Sequence, residues 1–174
     1  MKNASESPIQ RLPWRWLGAA IVVAALLPFS GQIVAAAGTM SLHPPRWDLL
    51  NQISLALKIH ILAALTALAI GSVLMLRPKG RGLHKALGWT WVVAMGVTAI
   101  SSLFVTGLNG DAFSIIHILS GWTLVALPMG VYAIRNRNVE KHRRTMTGMF
   151  FGGLIFAGAL TFIPGRFMFE MFFG

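Results

Sequence analysis

Uncharged apolar stretches of about twenty residues recur along this chain, separated by short clusters of Lys and Arg. A helix rises about 1.5 Å per residue, so each stretch can cross the roughly 30 Å of hydrocarbon in a bilayer. Five are legible: 16–37, 52–76, 83–107, 112–134 and 145–164. Their links are short and rich in breakers. His43-Pro44-Pro45 cannot continue a helix, Arg77-Pro78-Lys79-Gly80-Arg81-Gly82 is a tight basic turn, and Gly107-Leu108-Asn109-Gly110-Asp111 is a turn by composition. Charged residues make up only 11% of the 174 residues, against about 25% in a soluble domain, and this argues against a water-soluble enzyme. The expected fold is all-α: an integral membrane bundle of five transmembrane helices, with a four-helix core from spans two to five. Residues 1–15 read as a basic N-terminal tail, and 16–174 as a single transmembrane domain.

Basic residues set the orientation. The tail carries Lys2, Arg11 and Arg15. The link between spans two and three carries Arg77, Lys79, Arg81 and Lys85, and that between spans four and five carries Arg135, Arg137, Lys141, Arg143 and Arg144. The opposite side has only Arg46 and Arg166. Because Lys and Arg are retained on the cytoplasmic side, the N-terminus is expected inside and the C-terminus outside, in a bacterial inner membrane. Trp14, Trp16 and Trp47 fall at expected interfaces. Ala35-Ala36-Ala37 after a basic, apolar start also fits a signal peptide, but the apolar run is long for one, and an uncleaved anchor is expected. The net charge of +10 is explained by this topology, so nucleic-acid binding is not expected.

The span interiors hold no Asp or Glu, which counts against a proton-coupled transporter. Lys58 lies within span two and is expected to snorkel outward. With no cysteine there is no thiolate nucleophile, iron–sulfur cluster or Cys-type zinc site. Nor is there a Ser-His-Asp, Walker or metalloprotease pattern.

The histidines remain. His60 lies about 12 Å inside span two and His117 about 8 Å inside span four, both measured from the outer end at helical rise. His84 opens span three, and His142 just precedes span five, both at the inner face. His43 lies in an outer link. Two neutral imidazoles at one depth on different helices can ligate one iron from both sides, as b-type haem requires. A small residue one turn on leaves room for a porphyrin: His84 is followed by Gly88, His117 by Gly121 and His60 by Ala64, whereas His142 is followed by Met146. The candidate cofactor-binding residues are therefore His60, His117, His84, His142, Gly88 and Gly121, with the four histidines as metal ligands. The competing reading is that the histidines merely hydrogen-bond between helices, and that glycines such as those in Gly148-x-x-x-Gly152 permit close helix packing.

Three stretches carry a resemblance: Leu76–Trp91 (LRPKGRGLHKALGWTW), Ile116–Trp122 (IHILSGW), and the Arg-Asn pairs 135–138 with His142, Arg143 and Met146. They resemble the bacterial membrane proteins grouped as domain of unknown function 2306, over about residues 50–165. A more distant similarity is to the cytochrome b-561 family, through Leu83-His84-Lys85-Ala86-Leu87-Gly88. That similarity implies a four-helix core with one histidine per helix and two haems. His60 and His117 would hold the outer one, and His84 and His142 the inner one. The chain departs from the family in lacking a sixth span and any ascorbate-binding motif.

Two functions follow as expectations. One is a b-type cytochrome-like protein with one or two haem b groups, taking electrons from an inner donor to a quinone or redox protein. The other is a non-catalytic accessory subunit or sensor without cofactor. The lipid bilayer is the expected partner of both, and both are compatible with a homo-oligomer.

Overall fold

A computed structural model of the chain describes residues 23, 27, 30–38, 40–80, 82–105 and 115–174. These fall into two compact units. One comprises residues 44–162; the other joins the described part of 1–43 to Ile163–Gly174. No strand occurs among the described residues. In the smaller unit, α1 (Ser30–Ala37) is the described remnant of the first expected span, most of which lies outside the described residues, as do the tail, Trp14, Trp16 and the turn at 107–111. The C-terminal helix of the same unit, which contains Glu170, spans Phe167–Phe172. His43 accompanies it: its backbone N–H donates to the Phe172 carbonyl (3.2 Å), and its Nε2 lies 2.9 Å from the Gly174 carbonyl oxygen.

The larger unit is a ring of four helices. α2 spans Leu55–Leu76, α3 Gly82–Ser102 and α4 Ile115–Arg135; α5 runs continuously over Val139–Phe162. Numbered in chain order, the C-terminal helix Phe167–Phe172 is α6. α2 packs on α3, α3 on α4, α4 on α5, and α5 closes back on α2. The four-helix core expected from spans two to five is present. Among the described residues, three helices are long and apolar enough to cross a membrane: Leu55–Leu76, His117–Arg135 and Val139–Phe162. α3 has the length, 21 residues, but Lys85, Thr90, Thr98, Ser101 and Ser102 dilute its hydropathy. It also ends at Ser102, short of the expected 107, in a turn at Leu103 and Phe104.

Local chemistry explains the helix ends. The Ser54 side chain caps α2 by accepting the Leu57 N–H (3.2 Å), and Pro78 with Gly80 at φ 84° stops it. α5 begins at Val139, six residues before the expected start. Asn138 Oδ1 accepts the Lys141 N–H (3.0 Å), and Glu140 sits favourably in the first turn. The expectation that His142 and its basic neighbours lie in a link is thereby corrected. They form the opening turns of α5, because a capped polar segment propagates as helix as readily as an apolar one. Further along, α5 widens into a π-helical stretch, Met149–Phe156.

The core is made of small and flexible residues. Ala67, Leu74, Trp91, Ala94, Met95, Ala126, Leu127, Met149, Phe150 and Leu154 form one buried cluster. Gly71 and Gly130 make its closest approaches. A Cβ on Gly71 would lie 2.6 Å from the Phe150 ring and 2.8 Å from Trp91 Nε1; one on Gly130 would lie 2.5 Å from Met146 Cε. Small residues bring helices this close where lipid supplies no hydrophobic driving force. The same role was expected of Gly148 and Gly152, but a Cβ on either would meet nothing within 4 Å. Hydroxyls inside the helices satisfy themselves locally. Thr66, Ser72, Thr90 and Thr98 each donate to the carbonyl four residues back. Lys58 is exposed, in keeping with snorkelling.

Candidate functional site

The helix order places the polar groups of residues 44–162 at two opposite ends. The short links after α2 and after α4 define one end, which is basic: Arg77, Lys79, Lys85, Arg135, Arg137, Lys141, Arg143 and Arg144 are all exposed there. The start of α2, the end of α3 and the start of α4 define the far end. Of the four expected ligands, His84 and His142 fall at the basic end, and His60 and His117 at the far end. All four are half-buried.

At the far end, His60 bridges α2 to α3. Its Nδ1 lies 2.9 Å from the Thr98 carbonyl oxygen. A carbonyl can only accept, so Nδ1 donates, and in the neutral ring Nε2 is the nitrogen that has the lone pair. Ser101 Oγ lies 3.4 Å from the same nitrogen and donates to the Val97 carbonyl (2.6 Å). The neighbouring Ser102 hydroxyl bonds to that of Ser120, joining α3 to α4 one turn from His117. Ser101, Ser102, Ser120 and Thr123 are buried polar residues, and Thr123 donates to the Leu119 carbonyl (2.9 Å). Burying hydroxyls among apolar helices is costly unless each finds a partner. These do, and the result is a polar layer across three helices.

At the basic end the arrangement recurs. His142 Nδ1 on α5 lies 2.9 Å from the Gly130 carbonyl oxygen on α4, so Nδ1 again donates, and in the neutral ring Nε2 is the nitrogen that has the lone pair. His84 lies in the first turn of α3, at this same end. Gly88 and Gly121, expected to leave room beside a ligand, are half-buried, and a Cβ on either would meet nothing within 4 Å.

Among the described residues, no group of three or more His, Cys, Asp or Glu side chains is placed to hold a metal ion. Axial ligation of a porphyrin needs only two protein ligands. Met95, Met149 and Trp91 are buried in the core, whereas Met129, Trp89 and Trp122 are exposed.

Thr98, Ser101 and Gly130 escaped the sequence reading. Thr98 and Gly130 act through a backbone carbonyl, which every residue possesses, so residue identity gives no signal. Gly130 alone left a trace, as a small residue where α5 must approach α4 closely.

No curated protein and no solved structure matches the chain. The model of one family, described as "Predicted membrane protein (DUF2306)", matches residues 57–172, a span that takes in the four bundle helices from the third residue of α2 onward and the four candidate histidines. The chain belongs to that family of membrane proteins.

Proposed function

We propose that this protein is a b-type cytochrome-like electron carrier of the bacterial inner membrane, with its basic end toward the cytoplasm. His60 and His117 would hold one haem at the far end, and His84 and His142 a second at the basic end. The observation that carries this reading is the matched state of His60 and His142. Each commits Nδ1–H to a carbonyl of the neighbouring helix, which fixes the ring and, in its neutral form, leaves the Nε2 lone pair to ligate a metal. Metal-ligating histidines are held in this way, because a hydrogen bond at the remote nitrogen sets the tautomer and raises ligand basicity. The open faces of Gly88 and Gly121 support the same reading.

Haem, when bound, supplies one-electron reduction and oxidation. The chain's own work is to orient the rings and surround them with apolar helix. Thr98 and Gly130 are positioning groups that act through the histidines. Cations at the basic end, such as Lys85 and Arg144, are suited to pairing carboxylates near the cytoplasmic face.

Absorbance of the detergent-purified protein, before and after dithionite, tests the proposal. A Soret band with split visible bands in the reduced form is expected. His60→Ala and His142→Ala should each remove about one haem equivalent, while His43→Ala leaves the spectrum unchanged. A colourless protein from haem-replete cells, with its helix content intact by circular dichroism, overturns the reading. The histidines would then serve as interhelical staples of a protein without cofactor.

A further inference from the structure

Beyond the histidine clusters, α4 and the start of α5 enclose a groove of about 490 Å³, lined by Leu124, Val125, Pro128, Met129, Tyr132 and Lys141. Its residues on α4 recur at helical spacing over eight positions, a length of about 12 Å. Pro128 has no N–H for the Leu124 carbonyl, and a proline inside a helix pushes that carbonyl aside and bends the axis; both residues line the concavity. Val125 is 54% exposed and Tyr132 69% exposed, so in a bilayer this wall faces lipid.

The chemistry of the groove is graded along its length. Four apolar residues come first, then one phenol, then one ammonium at the basic end. The acidic residue beside Lys141, Glu140, is engaged by Arg143 (3.1 Å), and neither Lys141 Nζ nor the Tyr132 hydroxyl has a hydrogen bond or ion pair among the described residues. Arg135, Arg137 and Arg144 nearby in the chain are also exposed, so the rim carries excess positive charge.

We infer that this groove is a binding site for one anionic phospholipid, with part of an acyl chain along Leu124, Val125, Pro128 and Met129 and the phosphate on Lys141. Tyr132 lies between, at the level of the ester groups, where an amphipathic ring belongs. An anionic headgroup brings the net negative charge that Lys141 lacks, while a zwitterionic one brings its own cation. The inference does not rest on the redox reading: a colourless protein would bind the lipid equally well.

Native mass spectrometry of the protein in neutral detergent, titrated with dioctanoyl phosphatidylglycerol or dioctanoyl phosphatidylcholine, tests it. One phosphatidylglycerol should bind ahead of phosphatidylcholine. Lys141→Gln should weaken phosphatidylglycerol by about fivefold, the weight of one basic side chain at an anionic surface, and leave phosphatidylcholine unchanged. Val125→Trp, which fills the groove, should weaken both lipids. Lys58→Gln, on α2 toward the far end, should alter neither. Equal binding of the two lipids, or an unchanged affinity in Lys141→Gln, overturns the inference. So does full displacement of phosphatidylglycerol by equimolar inorganic phosphate, which would reduce the site to a bare anion contact.

Discussion

At the scale of single residues, backbone geometry and close approach decide more than side-chain type. Arg137 has φ 59°; its N–H donates to the Ile134 carbonyl (3.0 Å), and the Asn138 N–H donates to the Ala133 carbonyl (2.9 Å). This is the left-handed cap that usually ends a helix with glycine. Arginine bears a Cβ penalty there, so Arg137→Gly should raise stability by about 1 kcal/mol, and Arg137→Val should lower it. Thermal unfolding in detergent reads both. Gly71 gives the opposite case: with the Phe150 ring and Trp91 in the way, Gly71→Ala overpacks the core and should cost about 1–3 kcal/mol. Gly148→Ala, beside open space, should cost nothing measurable. His60→Phe removes the bond to Thr98 and should cost about 0.6–1.7 kcal/mol, the range for hydrogen bonds between membrane helices. Thermal unfolding of protein carrying no haem reads that loss apart from any change in colour.

At the scale of elements, α4 and α5 each depart from a regular helix at a different place. α4 carries Pro128 at its middle. Pro128→Ala returns a donor to the Leu124 carbonyl and should raise the unfolding temperature. By straightening the helix, it should also weaken the preference for phosphatidylglycerol. α5 widens into a π-helix over Met149–Phe156, and Met149, Phe150 and Leu154 are its buried residues. Such widening accommodates an extra residue without loss of the flanking faces. It lets α5 present Phe150 beside Gly71 while its first turns keep His142 against Gly130. Neither feature follows from the apolar pattern. A π-helical turn differs from an α-helical turn by one hydrogen-bond step, and sequence hydropathy does not register that step.

At the scale of the whole molecule, the distribution of Lys and Arg makes a topology prediction that labelling can check. The chain has no cysteine, so a single introduced one reports cleanly. Cysteine at position 137 or 79 should react with an impermeant maleimide only from the cytoplasmic side, and cysteine at position 52 only from the opposite side. Reaction of position 137 from outside would reverse the assigned orientation.

The sequence by itself determined the membrane habitat, the helical class and the four long helices. Those depend on the length and apolarity of local stretches, which a bilayer reads one segment at a time. It also placed the histidines at two levels, since depth along a helix is a count of residues. Only the tertiary structure decided what each imidazole touches, where helices come close and which wall stays open. Those outcomes depend on how far each helix is rotated about its own axis against its neighbours. That rotation is set by packing over the whole bundle: Gly71 and Gly130 became the points of close approach, while Gly148 and Gly152 were left beside open space.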